Sequence, residues 1–216
     1  MASFEPIVTE RLVLRPLEAR DRDRLVVLAN NWRVAKNLST MPYPYTQAAA
    51  DEWLGKQAEL RAGGKTLPLA MTIAGELIGG IGVGVRDHEE WELGYWLGEP
   101  YWNRGYASEA ATALRDNAFE RLKLDKIVAG HYADNHASGR VLTKLGFRYT
   151  RETMRYCLAQ GAKVKCLDME LPRERWLELT SGPLSMDEVR ARLAKRPAAS
   201  LLVSATDLLR DEREQR

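Results

Sequence analysis

The chain has 216 residues, of which 45% are hydrophobic and 29% charged, a composition typical of globular proteins rather than of disordered, collagenous or disulfide-rich ones. Its 32 Lys and Arg against 30 Asp and Glu leave a formal charge of +2, too balanced for the basic surface that nucleic-acid binding requires. Glu5 and Glu10 interrupt the N-terminus, and no apolar stretch approaches the roughly 18 residues of a membrane span. We therefore expect a cytoplasmic protein with no nucleic-acid partner and no membrane partner.

The spacing of hydrophobic residues predicts an alternation of helices and strands. The N-terminal elements are predicted as a strand at Val8 to Leu17, a helix at Asp21 to Asn30, a short helix at Trp32 to Leu38, a loop at Met41 to Tyr45 and a helix from Thr46 to Arg61. The later strands are predicted at Thr66 to Ile73, Glu76 to Val85, Trp91 to Leu97, Lys126 to Tyr132, Phe147 to Leu158 and Val164 to Leu171, with helices at Tyr106 to Leu122 and Asp134 to Leu145. The short connections in the middle of the chain favour an antiparallel meander.

The C-terminal part is predicted as a separate helical extension. A short helix at Arg173 to Leu179 is followed by a linker at Ser181 to Pro183 and by an amphipathic helix that opens at Ser185. We therefore divide the chain into a domain of residues 1–180 and an extension of residues 181–216 with a charged tail. A lone amphipathic helix is unstable in water, so we expect it to dock on the domain, to dock on a partner chain or to fray. Both a monomer and a homodimer remain open.

The two cysteines and the histidines do not form the patterns of a metal or redox centre. Cys157 and Cys166 lack the close pairing of a zinc knuckle and are predicted to be reduced, partly buried thiols. His131, Asp134 and His136 straddle a strand end and a helix start without a fourth ligand, so we expect no metal.

The segment after the strand at Trp91 to Leu97 has the features of an anion site. A loop containing Arg104 and Gly105 opens directly into an alanine-rich helix. Free backbone N–H groups at a helix N-terminus, with a glycine that permits close approach, are suited to a phosphate group. The loop is not a P-loop, because no Gly-Lys-Ser/Thr closes it. An ordinary glycine in a strand-to-helix turn is the alternative.

Two longer runs carry a family resemblance. EEWELGYWLGEPYWNRGYASEA and KIVAGHYADNHASGRVLTKLGF resemble the cofactor-binding core of the GNAT acyltransferases, in the RimJ/RimL-like branch of ribosomal-protein N-terminal acetyltransferases. The opening TERLVLRPLEARD is similar to the same branch, so the resemblance spans Thr9 to Leu171. It implies an α/β (α+β) fold with a mixed, mostly antiparallel sheet, helices on both faces and a splayed central strand pair. It also implies acetyl-CoA as co-substrate.

The resemblance further implies where the cofactor binds. The pyrophosphate would lie on the loop from Asn103 to Ser108, and the pantetheine arm would lie along the strand at Tyr95 to Leu97. The implied cofactor residues are Tyr95, Trp96, Leu97, Trp102, Asn103, Arg104, Gly105, Tyr106, Ala107, Ser108 and Asn135. The chain departs from the family pattern at Trp102, where Gln or Arg is general, and at Asn103, where the branch has Gly. Asn tolerates left-handed backbone, so the second departure is mild.

The reaction requires a base for the amine and a proton for the leaving thiolate. By the resemblance, Glu92 is the candidate base, acting directly or through water, and Ser138 the candidate acid. Backbone N–H groups of Tyr95 to Leu97 would meet the oxyanion. The alternatives are a solvated carboxylate on a strand edge for Glu92 and a helix-surface serine for Ser138.

The acceptor pocket is expected to be lined by the aromatic residues Trp32, Tyr43 and Tyr45, for which plain packing on the sheet is the alternative. The resemblance implies that the acceptor is the α-amino group of a protein N-terminus. A small-molecule amine, such as an aminoglycoside, polyamine or amino acid, uses the same scaffold, because fold does not determine substrate. A non-catalytic CoA-binding regulatory module is a third alternative.

Overall fold

The computed structural model of the protein describes residues 5–85 and 90–181, and the predicted C-terminal helix lies outside this part. The described strands are β1 (Ile7–Val8), β2 (Val13–Arg15), β3 (Thr66–Ile73), β4 (Glu76–Val85), β5 (Trp91–Leu97), β6 (Lys126–Tyr132), β7 (Arg148–Cys157) and β8 (Ala162–Pro172). The described helices are α1 (Arg22–Ala29), α2 (Trp32–Ala35), α3 (Gln47–Ala62), α4 (Tyr106–Leu122), α5 (His136–Lys144) and α6 (Arg173–Thr180). Within these residues no helix is long and apolar enough to cross a membrane.

The described strands form a single sheet in the order β1-β2-β3-β4-β5-β6-β8-β7. Neighbouring strands are antiparallel except β5 and β6, which run parallel. The meander predicted for the middle of the chain is β3-β4-β5, and the final hairpin inserts β8 between β6 and β7. The expected mixed, mostly antiparallel sheet is confirmed.

Helices pack on both faces of this sheet, as expected. On one side, which we call the α4 face, Leu93 and Leu97 of β5 lie in one core cluster with Ala110 and Leu114 of α4. On the other side, which we call the α1 face, Trp96 packs against a second cluster to which α1 and α3 contribute. Because strand side chains alternate between faces, neighbouring residues of β5 serve opposite sides of the sheet.

The strand predicted from Val8 to Leu17 is wrong as a single element. The structure has two short antiparallel strands, β1 and β2, with Ile7 opposite Leu14. A turn separates them, because the Thr9 backbone N–H donates to the Leu12 carbonyl at 2.9 Å and the Leu12 N–H donates to the Thr9 hydroxyl at 3.0 Å. Threonine competes for local backbone groups in this way, and alternation of apolar residues alone does not reveal it.

Two helix boundaries also differ from the prediction. The short helix expected to reach Leu38 ends at Ala35. The helix expected from Asp134 begins at His136, because Asn135 acts as its N-cap and its side-chain oxygen accepts from the Ser138 N–H at 3.2 Å. An Asn at an N-cap satisfies one of the unpaired donors of the first helical turn.

The two cysteines are free and buried. They do not face each other across the β7–β8 hairpin, since Cys157 is opposite Ala162 and Cys166 is opposite Thr153. Burial raises the pKa of the Cys166 thiol to about 11. Both residues pack with Tyr132 in a small apolar cluster. Both are therefore core side chains, and the Cys166 thiol stays protonated at neutral pH.

Candidate active site

The parallel strands β5 and β6 separate soon after they meet. In the part of the chain that the structure describes, Glu92 and Val128 are the one pair of facing residues between them. The β5 residues that follow, Tyr95 to Leu97, are paired with β4 on one side and have no strand neighbour on the other. Because a backbone group buried without a partner is costly, this gap favours a ligand that supplies hydrogen bonds. The expected splayed strand pair is confirmed.

The loop beyond β5 has the backbone of an anion site. Asn103 and Gly105 both have left-handed conformations, with φ of 59° and 80°. Gly105 is the N-cap of α4. Because glycine has no side chain, it cannot accept a hydrogen bond from the first N–H groups of the helix. These N–H groups and the helix dipole favour a negative charge at this end.

Trp102 anchors the start of this loop. Its indole N–H donates to the Leu97 carbonyl at 2.8 Å, and the Arg33 guanidinium lies 5.4 Å from the centre of its ring. The Leu97 carbonyl, which belongs to the predicted cofactor strand, is therefore already used within the protein. Trp102 holds the loop against the end of β5, and a direct contact with the cofactor stays a prediction.

Tyr95 and Ser138 meet on the α4 face. The Tyr95 hydroxyl lies 2.9 Å from the Ser138 hydroxyl and 3.3 Å from the Ser138 carbonyl. Burial raises the pKa of Tyr95 to about 12, although the hydrogen bond with Ser138 acts in the opposite direction. Tyr95 was predicted as a backbone contact of the cofactor, and no role was predicted for its hydroxyl. Strand alternation was the available signal, because it directs Tyr95 to the same face as Leu93 and Leu97.

Asn135, three residues before Ser138, caps α5 with its side-chain oxygen. This cap fixes the first turn of α5 and with it the backbone that carries Ser138. The predicted contact between Asn135 and pantetheine stays a prediction.

Glu92 lies on the opposite face, the α1 face. There it belongs to an ionic network that the sequence did not predict. Its carboxylate accepts from Arg155 of β7 at 2.6 Å, and the same guanidinium donates to Asp168 of β8 at 2.5 Å. Burial lowers the pKa of Arg155, but the two carboxylates outweigh it, so the pKa is raised and the guanidinium stays charged. Glu92 is thus held in place by a residue 63 positions away in sequence.

A cavity of about 320 Å³, lined largely by charged side chains, lies beside this network. Val128, which faces Glu92 across the strand pair, is among its walls. A Cβ atom built on Gly94, two residues after Glu92, would meet no described atom within 4 Å. Gly94 thus leaves open space on the α1 face of β5.

The three aromatic residues expected in the acceptor pocket have different environments. Trp32 and Tyr43 are 42% and 44% exposed and contact each other edge to face, with ring centres 5.3 Å apart. Tyr45 is only 5% exposed and packs in the core cluster of the α1 face. Burial raises the pKa of Tyr45 to about 12. The structure therefore makes Tyr45 a core residue and leaves Trp32 and Tyr43 on the surface.

The segment that follows α2 is joined to the tip of the β7–β8 hairpin. The Leu158 N–H donates to the Ser39 carbonyl at 3.0 Å, and the Gln160 side chain donates to the Lys36 carbonyl at 2.8 Å. The Cys157 thiol contacts the carbonyl of Leu38 at 3.4 Å. The segment after α2 and the tip of the hairpin are thus held together by hydrogen bonds.

The histidine considered as a metal ligand has other partners. His131 Nδ1 lies 2.8 Å from the Tyr132 carbonyl, and its Nε2 lies 3.1 Å from the Tyr149 hydroxyl. Over residues 5–85 and 90–181 the structure has no group of three or more His, Cys, Asp or Glu side chains that could hold a metal ion.

Fold and site together define an acyltransferase that uses a CoA thioester. The sequence matches the acetyltransferase (GNAT) domain family over residues 11–148, and the chain belongs to this family. The protein is accordingly an acetyl-CoA-dependent N-acetyltransferase.

Individual relatives agree with this assignment. An uncharacterised N-acetyltransferase, p20 of Bacillus licheniformis, is 31% identical over 148 residues, which are 67% of this chain and 83% of the relative. A putative ribosomal N-acetyltransferase of Bacillus subtilis, YdaF, is 26% identical over 149 residues, covering 65% of this chain and 79% of the relative. The structure of Mycobacterium smegmatis RimJ in complex with CoA-disulfide superposes with a TM-score of 0.68 at 23% identity, covering 88% of this chain and 94% of that one.

Proposed function

We propose that the protein transfers the acetyl group of acetyl-CoA to the α-amino group of a protein N-terminus by direct attack in a ternary complex. The cofactor would lie with its pyrophosphate on the loop from Asn103 to Ser108 and its pantetheine arm in the gap between β5 and β6. The acceptor would enter from the α1 face, over Gly94. One structural neighbour, RimL, is a ribosomal L7/L12 alpha-N-protein acetyltransferase.

The charge of the cavity beside Glu92 is the observation that carries the choice of acceptor. Among the described residues that line it, three are cationic and three anionic, namely Lys126, Arg151, Arg155, Glu90, Asp168 and Glu170. A polycationic acceptor such as a polyamine or an aminoglycoside would be favoured by an acidic pocket. A balanced lining instead suits a peptide, which carries a single charged amine on a mostly neutral backbone.

The attack begins with removal of a proton from the acceptor ammonium, since only the neutral amine is nucleophilic. Glu92 accepts this proton, directly or through one water, and Arg155 keeps its carboxylate in place. The amine nitrogen then forms a bond to the thioester carbonyl carbon. The negative charge that develops on the carbonyl oxygen is met by N–H groups of β5 between Tyr95 and Leu97, donors that are already positioned before the reaction.

Collapse of the tetrahedral intermediate breaks the C–S bond and releases CoA as a thiolate. Ser138 donates a proton or a hydrogen bond to the sulfur on the α4 face. Tyr95 supports this role, because its hydroxyl donates to the Ser138 oxygen at 2.9 Å when the serine proton points elsewhere. As the intermediate collapses, the attacking nitrogen loses its second proton, which restores the Ser138 hydroxyl or neutralises the thiolate. The products are CoA and the acetylated amine, and the proton held by Glu92 passes to solvent. Trp32 and Tyr43 serve as exposed acceptor contacts.

An acceptor screen tests the proposal. We expect acetyl-CoA-dependent acetylation of short peptides with a free N-terminus, and loss of turnover when the same peptides are N-terminally blocked but keep their lysine. Spermidine and kanamycin are the matched small amines. Turnover of these amines without turnover of any peptide would assign the small-molecule alternative. Tight acetyl-CoA binding without turnover of either class would assign a non-catalytic CoA-binding module.

A further inference from the structure

The turn between β1 and β2 is bound to the first turn of α4 through Glu109. The Glu109 carboxylate accepts three hydrogen bonds, from the Thr9 hydroxyl at 2.6 Å, the Arg11 backbone N–H at 2.8 Å and the Arg11 Nε at 2.7 Å. Burial raises the pKa of Glu109, but these hydrogen bonds outweigh it, and the pKa lies below its ordinary value. Glu109 is therefore a carboxylate whose accepting positions are occupied by Thr9 and Arg11.

Arg11 in turn contacts the last two residues of the loop before α4 and Tyr106, the first residue of α4. Its Nη1 donates to the Arg104 carbonyl at 3.0 Å, and its guanidinium carbon lies 4.7 Å from the centre of the Tyr106 ring. Its Nη2 lies 3.3 Å from where a Cβ on Gly105 would be. The loop contains two left-handed residues, a backbone that persists only where neighbouring contacts determine it. Arg11 supplies such contacts.

Glu109 and Arg11 also balance each other electrostatically at the proposed pyrophosphate site. A lone carboxylate in the first turn of α4 would oppose the binding of a second anion at the same helix end. The guanidinium of Arg11, paired with it at 2.7 Å, offsets that charge. The pair thus stabilises the loop without leaving a net negative charge beside it.

We propose that Thr9, Arg11 and Glu109, which we call the brace, are positioning residues that hold the loop in its pyrophosphate-binding conformation. A loop that is ordered before the ligand arrives loses less conformational entropy on binding. The brace explains why the N-terminal turn and the cofactor helix are joined although 98 positions separate Arg11 from Glu109. This inference rests on the proposed placement of the pyrophosphate.

The test compares two ligands that differ in the pyrophosphate. Acetyl-CoA is titrated calorimetrically, and S-acetyl-pantetheine, which lacks the nucleotide and both phosphates of the bridge, is titrated by NMR. Arg11→Ala should weaken acetyl-CoA binding about tenfold and change S-acetyl-pantetheine binding less than about twofold. Glu109→Ala should do the same, and the double variant should be no weaker than the worse single one, because the two residues act as a unit.

Two further variants keep the test decisive. Arg20→Ala removes an arginine that pairs with Glu18 at 2.6 Å and is 65% exposed, so it controls for the loss of one positive charge. Arg11→Lys keeps the charge but cannot reproduce the paired Nε and Nη1 contacts, so binding should be intermediate even if Arg11→Ala folds poorly.

Two results would overturn the brace. Wild-type affinity of Arg11→Ala and Glu109→Ala for acetyl-CoA would show that the contacts do not matter for binding. Equal weakening of both ligands would show a general effect on the fold. Gly105→Val separates this failure from a failure of the proposed function. If Gly105→Val also leaves acetyl-CoA binding unchanged, the pyrophosphate placement itself is wrong. If Gly105→Val weakens binding while Arg11→Ala and Glu109→Ala do not, only the brace is rejected.

Discussion

The two sides of β5 are built from different kinds of sequence information. The side that we propose for the cofactor is local, because the separated strand, the left-handed loop and the start of α4 follow one another between Tyr95 and Ser108. The side that we propose for the acceptor is assembled from distant strands, since Glu92 of β5 is bonded to Arg155, which is also bonded to Asp168. A binding site made of consecutive backbone groups leaves a readable pattern, whereas a network of side chains from three strands leaves none until the sheet is known. Variants on the two sides should therefore separate binding from chemistry.

The largest effect is expected from Glu92→Gln, on the acceptor side. The amide still accepts a hydrogen bond from Arg155 but cannot take a proton, so kcat should fall about 10²- to 10³-fold with the acceptor found in the screen. Glu152→Gln, on a carboxylate that is 63% exposed and paired with Lys165, is the matched control and should keep wild-type kcat. A fall in kcat of less than tenfold for Glu92→Gln would remove Glu92 from the role of base.

Gly105→Val tests the cofactor side. A β-branched residue in a left-handed conformation costs roughly 1–2 kcal/mol. The loop should then shift, and acetyl-CoA should bind at least about tenfold more weakly by calorimetry. Gly64→Val is the control, because Gly64 is also left-handed, at φ 67°, with open space around its Cβ position. Equal losses of acetyl-CoA affinity in both variants would point to global destabilisation rather than to the loop.

Tyr95→Phe tests the proposed support of Ser138 on the α4 face. Removing the hydroxyl leaves Ser138 without its partner at 2.9 Å, and kcat should fall several-fold to about tenfold while the affinity for acetyl-CoA stays within about twofold. Since the pKa of Tyr95 is raised to about 12, its hydroxyl stays protonated at lower pH, and the fold-loss should be constant between about pH 6 and 10. A fold-loss that changes across this range would contradict the assignment.

The smallest effect is expected from Asn103→Gly. Both residues accept the left-handed backbone found at φ 59°, so acetyl-CoA affinity should stay within about twofold. Asn103→Val should weaken binding about tenfold for the same reason as Gly105→Val. If Asn103→Gly alone weakens binding strongly, the Asn103 side chain itself contacts the cofactor.

The fold could be predicted from the sequence where periodicity and glycine placement were clear. The meander of β3, β4 and β5 and the alanine-rich helix α4 are examples, because each is determined by residues close together in the chain. The strand predicted from Val8 to Leu17 failed, because the competing hydrogen bonds of Thr9 produce a turn. Tyr45 was expected to line the acceptor pocket and lies in the core, since a loop aromatic gives no sequence signal of its burial.

For the site, the loop before α4 could be predicted from the sequence, but the side-chain contacts of Glu92 and Ser138 could not. Asn103 and Gly105 have the left-handed backbone that their residue types suggest. Arg155 and Asp168 were missed because a charged residue on a strand looks the same whether it faces solvent or a carboxylate three strands away. The hydroxyl of Tyr95 was missed for a similar reason, since its partner Ser138 is carried by a helix 43 positions later.

The proposed separation of cofactor binding from catalysis is tested most directly by one calorimetric comparison. Acetyl-CoA is titrated into wild type, Glu92→Gln and Gly105→Val. Our account predicts wild-type affinity for Glu92→Gln and at least about tenfold weaker binding for Gly105→Val. Weakened binding by Glu92→Gln together with wild-type affinity of Gly105→Val would contradict it, and would place the cofactor on the side that we assign to the acceptor.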